Sequence, residues 1–121
     1  MKLSVIALDY DGTIAQGDRL DPSVRGAIAD ARTRGITVLL VTGRILSELR
    51  RVAGDLHFVD AVVAENGAVL HFPDSGHTSS LAPPVSDVFL AEVRARGIEV
   101  MPGQCLVDGA AVDAPRLLDV I

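Results

Sequence analysis

A chain of 121 residues is sized for one small domain or a piece of a larger one, and an apolar share of 49% is ample for a packed core. With 3% aromatic residues that core has to be aliphatic. A formal net charge of −5, with Lys2 as the only lysine, argues against the basic stripe of a nucleic-acid partner and against a polybasic membrane patch.

In chain order, Leu3 to Leu8 is a short apolar run rich in branched residues, which reads as a buried strand. Asp21-Pro22 supplies an N-cap and a first-turn proline; Val24, Ala27, Ile28 and Ala31 follow at helical spacing, and Gly35 closes the element. Ile36 to Val41 is a second strand. Ile45, Leu46, Leu49, Val52 and Ala53 form another helical stripe ending at Gly54, and Ala61 to Ala64 is a third strand. Strand, helix, strand, helix, strand is the order of a parallel sheet, so the fold class is α/β.

After Gly67 the rhythm changes. Ala68 to Phe72 and the stretch 78–81 flank Pro73-Asp74-Ser75-Gly76, which predicts an antiparallel hairpin. Val85 to Arg96 reads as a helix stopped by Gly97, and Ile98 to Met101 as a strand. Gln104 to Val107 and Ala110 to Val112 flank Asp108-Gly109, a two-residue hairpin signal. Asp113 and Pro115 open a short apolar helix through Leu117, Leu118, Val120 and Ile121 with no capping residue, so the natural protein is expected to continue. Cys105 is the only cysteine, which excludes an internal disulfide and fits a cytoplasmic setting. The first residues do not read as a leader peptide, and with no apolar run of about 18 residues no membrane span is expected.

The chemistry concentrates at strand ends, where open parallel sheets bind ligands. Asp9 ends the first strand and can attack an electrophile as a nucleophile. Asp11 follows after one residue and can act as general acid and then general base. Two carboxylates this close also suit Mg²⁺, which prefers oxygen ligands. Gly12 lets the loop turn and brings N–H groups near a phosphoryl oxygen, and Thr13 can hold the loop through its hydroxyl. The second strand ends in Thr42-Gly43-Arg44, placing a hydroxyl, a backbone N–H and a cation at the same end of the sheet. Taken without that context, Asp-x-Asp-Gly is a solvated turn, Thr42 a helix cap and Arg44 a surface charge.

"LDYDGT" at Leu8–Thr13 and "VTGR" at Val41–Arg44 resemble the first and second motifs of the haloacid-dehalogenase-like (HAD) phosphatases, and "ENGA" at Glu65–Ala68 resembles their Cof-like sugar-phosphatase branch. The resemblance implies a Rossmann-like core, of which residues 1–66 would be the N-terminal half, and an α+β cap begun by residues 67–121. It implies Asp9 as nucleophile and metal ligand, forming an aspartyl-phosphate. It implies Asp11 as acid/base, with its backbone carbonyl on Mg²⁺. Thr42 would bind the phosphoryl group, and Glu65-Asn66-Gly67 would form the hinge to the cap, with Asn66 facing the cleft. The substrate class implied is a small phosphorylated metabolite such as a sugar phosphate.

The family also requires a late lysine and a late acidic cluster. This chain has no lysine after Lys2, and its late acidic pair, Asp108 and Asp113, has Val107 where the family's late acidic motif has glycine and reads better as part of a cap hairpin. A half-core would leave Leu3–Leu8 as an open edge, expected to self-associate or to pair with a missing C-terminal segment. Two rival readings remain: a non-catalytic binding module on the same fold, and a phospho-accepting receiver domain. The latter needs an aspartate at the end of the third strand, where this chain has Ala64, Glu65 and Asn66.

Overall fold

The computed structural model describes residues 2–121. Five strands form one sheet in the order β1 (Val5–Asp9), β4 (Thr37–Val41), β5 (Ala61–Ala64), β6 (Val69–Phe72), β7 (His77–Ser80). The first three run parallel, with Val5 opposite Thr37, Asp9 opposite Val41 and Leu39 opposite Ala61. Helices α1 (Pro22–Thr33) and α2 (Leu46–Ala53) are the crossovers. Asp21 caps α1 by accepting from the Ser23 N–H at 2.7 Å, and the chain leaves both helices through glycines of positive φ, Gly35 and Gly54.

Beyond β5 a tight 3₁₀ turn, Glu65–Gly67, reverses the chain, and β6 and β7 add to the sheet antiparallel. The boundary read at 66/67 is therefore the point where pairing changes from parallel to antiparallel. The sheet itself runs across it.

Two expectations are corrected. The late hairpin does not turn at Asp108-Gly109. Strand β8 (Val100–Pro102) pairs with β9 (Val107–Gly109), so Asp108 and Gly109 lie inside a strand, opposite Met101 and Val100. The turn is Gly103–Leu106, closed by the Gly103 N–H donating to the Leu106 carbonyl at 2.7 Å. Pro102-Gly103 is the stronger breaker there. The helix expected over 85–96 is α3 (Asp87–Ala95), and residues Ala111–Asp113 form a 3₁₀ turn in place of the expected strand and lead into the short α4 (Ala114–Leu118). An element with no expectation behind it is a flap: β2 (Ala15–Gln16) and β3 (Arg19–Leu20) pair antiparallel around Gly17 (φ 55) and Asp18 (φ 69), a left-handed two-residue turn that matches strand twist.

The sheet is covered on one face. Val38 and Leu40 of β4, Val62 and Ala64 of β5 and Val69 of β6 share that face by the two-residue period and form one buried cluster with Ile28 of α1 and Leu46, Leu49 and Ala53 of α2. The opposite face carries Val5, Ala7, Thr37 and Val41, all exposed, and β1 lies at the sheet edge with Val5 50% exposed. Buried His71, next to Thr78 Oγ1 at 2.8 Å, ends the covered face on β6, and its burial holds the imidazole below its ordinary pKa. Among the described residues no helix is long and apolar enough to cross a membrane.

The two faces of β4 provide a direct test. Leu40→Ala should cost about 2–5 kcal/mol of unfolding free energy through the cavity it leaves. Val41→Ala, one residue on and facing out, should cost under about 1 kcal/mol. Urea titration of both variants measures the difference, and equal losses would mean that both faces are packed.

Candidate active site

The parallel register places the ends of β1 and β4 side by side, with Asp9 paired to Val41 one residue before Thr42. Alternation along the chain then sorts "DYD": Tyr10 is fully buried, and its hydroxyl donates to the Asp18 carbonyl at 2.8 Å, while Asp9 and Asp11 face outward. A tight loop follows. The N–H groups of Thr13, Ile14 and Ala15 all donate to the Tyr10 carbonyl.

Asp9, Asp11, Thr42, Gly43, Arg44, Ile45, Asn66, Leu106, Val107 and Asp108 line one cleft of about 490 Å³. A larger hollow of about 740 Å³ lies beside the flap. It shares with the motifs only Thr13, so the smaller cleft holds the chemistry.

Six of the sequence-predicted residues thus meet: Asp9, Asp11, Thr42, Gly43, Arg44 and Asn66. Gly12 and Thr13 do not line the cleft. The Gly12 N–H donates to the Ala15 carbonyl at 3.0 Å, serving the turn and not a ligand, and at φ 73 the position suits glycine. Thr13 acts through Asp9, its hydroxyl donating to Asp9 Oδ2 at 3.2 Å. Thr42 does not cap α2, whose N-cap is Ile45. Its buried hydroxyl oxygen accepts from the Arg44 N–H at 3.0 Å, which leaves the hydroxyl proton available. Gly43 lets Asn66 approach closely, because a Cβ there would sit 2.7 Å from Asn66 Oδ1 and would displace that side chain.

Arg44 is the centre of the local electrostatics. Its Nε and Nη2 donate to the two carboxylate oxygens of Asp11 at 2.8 and 2.7 Å, a bidentate fork, and Nη2 also reaches Asp18 in the flap. That pairing holds the Asp11 carboxyl below its usual range and raises Arg44 further. Asp11 is therefore a fixed anion while Arg44 holds it. Asp9 keeps a freer carboxylate, with Thr13 as its hydrogen-bond donor.

Asp9 and Asp11 are hard oxygen donors on one wall and fit Mg²⁺, which is commonly held by one or two carboxylates with waters and substrate phosphate completing the shell. Among the described residues no group of three or more His, Cys, Asp or Glu side chains gathers as a fuller metal site. The two late acids part company: Asp108 lines the cleft, whereas Asp113 pairs with Arg116 at 3.2 Å.

The sequence reading missed Asp18, Leu106 and Val107. Gly17-Asp18 between short apolar-containing runs is a hairpin signal that was there to find. Nothing local marks residues 106–108 as cleft residues, since the turn at 103–106 brings them there.

A family model for haloacid dehalogenase-like hydrolases matches residues 6–88. Phosphoglycolate phosphatase from Methanothermobacter thermautotrophicus is 38% identical over 73 residues, 60% of this chain and 33% of that protein. The crystal structure of Thermoplasma acidophilum 0175 superposes with a TM-score of 0.70 at 19% identity, over 97% of this chain and 56% of that one. The HAD subclass IIB sugar phosphatase BT4131 superposes with a TM-score of 0.57 at 18% identity, over 86% of this chain and 42% of that one. The likeness to these structures is one of fold, and the chain spans about a third of the length of the curated relatives it matches.

Removing the Arg44 fork should change the Asp11 titration. In Arg44→Met the Asp11 carboxyl should titrate at higher pH than in the parent, closer to the ordinary 3.8, as followed by carboxyl-carbon NMR. The folded-state pKa is the depressed one, so the pairing stabilises the fold above the unfolded value, and that contribution is lost as pH falls through the folded value. An unchanged Asp11 titration would show that Arg44 does not hold it in solution.

Proposed function

The chain belongs to the haloacid dehalogenase-like hydrolases, and from that premise we propose that it carries the nucleophile-bearing part of a Mg²⁺-dependent phosphomonoester hydrolase. The observation that carries this reading is the shared cleft of Asp9 and Thr42 at adjacent strand ends. A carboxylate beside a hydroxyl donor is what in-line displacement at phosphorus requires of the protein.

In this reading the Asp9 carboxylate attacks phosphorus and the ester P–O bond breaks. Asp11 protonates the departing alkoxide, and Asp9 is left as an aspartyl-phosphate. Asp11 then takes a proton from water as that water attacks phosphorus, which frees Asp9 and inorganic phosphate. The Thr42 hydroxyl donates to a phosphoryl oxygen throughout. The Asp9 carboxylate and the Asp11 backbone carbonyl would hold Mg²⁺, which supplies charge neutralisation at the phosphoryl oxygens.

Arg44 has a gating place in this scheme. Asp11 is a poor proton donor while the guanidinium holds both its oxygens. A phosphoryl group presents oxygens in the same fork geometry, so an arriving substrate competes for Arg44 and releases Asp11.

The substrate we infer is a small phosphorylated metabolite with a neutral, hydroxyl-bearing body, such as a sugar phosphate, met in a reducing cytoplasm. Among the described residues Arg44 is the one cation lining the cleft and is already paired, and Asp108 stands on the wall. A second anionic group on the substrate would find no partner among the described lining residues. The exposed edge of β1 is the surface through which the chain would self-associate or take up a further strand.

A second reading, a binding module without turnover, is favoured by one observation: Arg44 occupies both oxygens of the would-be acid. Turnover separates the two. In protein carrying a complete core, Mg²⁺-dependent release of phosphate from a sugar phosphate should be abolished by Asp9→Asn and lowered about 10²–10⁴-fold by Asp11→Asn. Residues 1–121 alone should show little or no turnover, because the positive charge around the phosphoryl group is incomplete. Full activity in Asp9→Asn would exclude the covalent route, and tight phosphate binding with no turnover in the complete protein would favour the binding module.

A further inference from the structure

Glu65 is the most deeply buried charged side chain among the described residues, at 1% exposure, and it belongs to none of the described ion pairs. Its carboxylate is satisfied by backbone alone. Three successive N–H groups of the distant turn converge on it: Gln104 on Oε2 at 3.2 Å, and Cys105 and Leu106 on Oε1 at 2.9 and 3.3 Å. Consecutive N–H groups aimed at one anion form a nest, and a buried carboxylate without such donors would be strongly disfavoured. Gly103 completes the fit, because a Cβ there would overlap the carboxylate.

The backbone of Glu65 faces the other way. Its N–H donates to the Arg44 carbonyl at 3.0 Å, and the next N–H, of Asn66, donates to the Thr42 carbonyl at 3.4 Å. One residue therefore joins the strand-end loop of Thr42–Arg44 to the turn between β8 and β9. To do so it adopts φ 52, a left-handed conformation that glutamate seldom takes. Directly after the tethered turn come Leu106, Val107 and Asp108, which line the same cleft as Asp9 and Thr42.

We propose that Glu65 is a positioning residue whose carboxylate seats the Gly103–Leu106 turn against the strand ends and so builds the Leu106–Asp108 wall of the cleft. The use of that wall to fit a leaving group rests on the phosphatase reading; the tether does not, and it can be measured without turnover.

The chain holds its own reporter. Cys105 is the sole cysteine, its N–H lies on Glu65 Oε1, and its thiol donates to the Ala82 carbonyl at 3.2 Å. Amide hydrogen exchange and the rate of thiol reaction with an aromatic disulfide reagent should be measured on the 121-residue chain and three variants. In Glu65→Ala the amides of Gln104, Cys105 and Leu106 should all exchange at least about tenfold faster, and the thiol should react faster by a similar factor, while Leu40 and Val62 in the sheet stay unchanged. Glu65→Gln keeps one carbonyl oxygen for Cys105 and Leu106 and turns its amide toward Gln104, so the increase should be largest at Gln104. Gly103→Ala leaves residue 65 intact and should give the same local increase by displacing the turn. Unchanged exchange at 104–106 in the folded variants would overturn the proposal. So would an increase shared equally by Leu40 and Val62, because Glu65 would then support the whole fold and not the wall.

Discussion

The parallel pairing of β1 with β4 is the constraint on which everything else rests. A parallel ladder fixes which residues end level with one another, and here it sets Asp9 against Val41. The next residue on β4 is Thr42, so a carboxylate and a hydroxyl from segments more than thirty positions apart share one cleft. Shifting the register by one residue would turn every β4 side chain to the other face, exposing Val38 and Leu40. Core packing against α1 and α2 thus enforces the geometry of the site. The apolar contacts of the covered face are, in effect, what aligns two polar residues at its rim.

The second organising feature is the competition for Arg44. Two acids from different segments, Asp11 on the strand-end loop and Asp18 on the flap, converge on one guanidinium. Each is about half exposed, so solvent screens the attraction and the pairing is exchangeable, not locked. A doubly charged ligand arriving in the cleft meets a cation whose present partners are held only by screened forces. The flap is drawn into this balance through Asp18, which ties the position of a small hairpin to the charge state of the cleft.

The parallel half of the fold was legible in the sequence. Apolar runs bounded by Asp21-Pro22, Gly35 and Gly54 gave strands and helices within a few residues of their positions, because hydrophobic period and caps are local signals. Asp9, Asp11 and Thr42 could be placed for the same reason: each sits at the end of a readable strand. The Gly17-Asp18 turn is a local signal left unread, whereas the late hairpin is where a distant group decides. Asp108-Gly109 looks like a turn in isolation, yet it runs as strand because Glu65, some forty residues earlier, captures the N–H groups of 104–106 and puts the turn there. Gly12 does let the loop turn, and its own N–H is spent on the Ala15 carbonyl. Glu65 itself read only as part of a hinge, and no periodicity or spacing marks a buried carboxylate whose donors come from another element.

Glu65 and Asn66 both hold left-handed backbone, φ 52 and 57, without being glycine. Such a conformation costs an ordinary residue about 1–2 kcal/mol, and asparagine less. Glycine at position 65 would relieve that strain, but it would leave the N–H groups of Gln104, Cys105 and Leu106 without their acceptor, at about 1–3 kcal/mol for each one that water does not reach. The loss outweighs the relief, so the carboxylate keeps the backbone in a conformation it would otherwise leave. Mutational robustness and a shaped binding surface therefore pull in the same direction here. A variant library ranked by melting temperature would retain glutamate at a position where backbone preference alone calls for glycine.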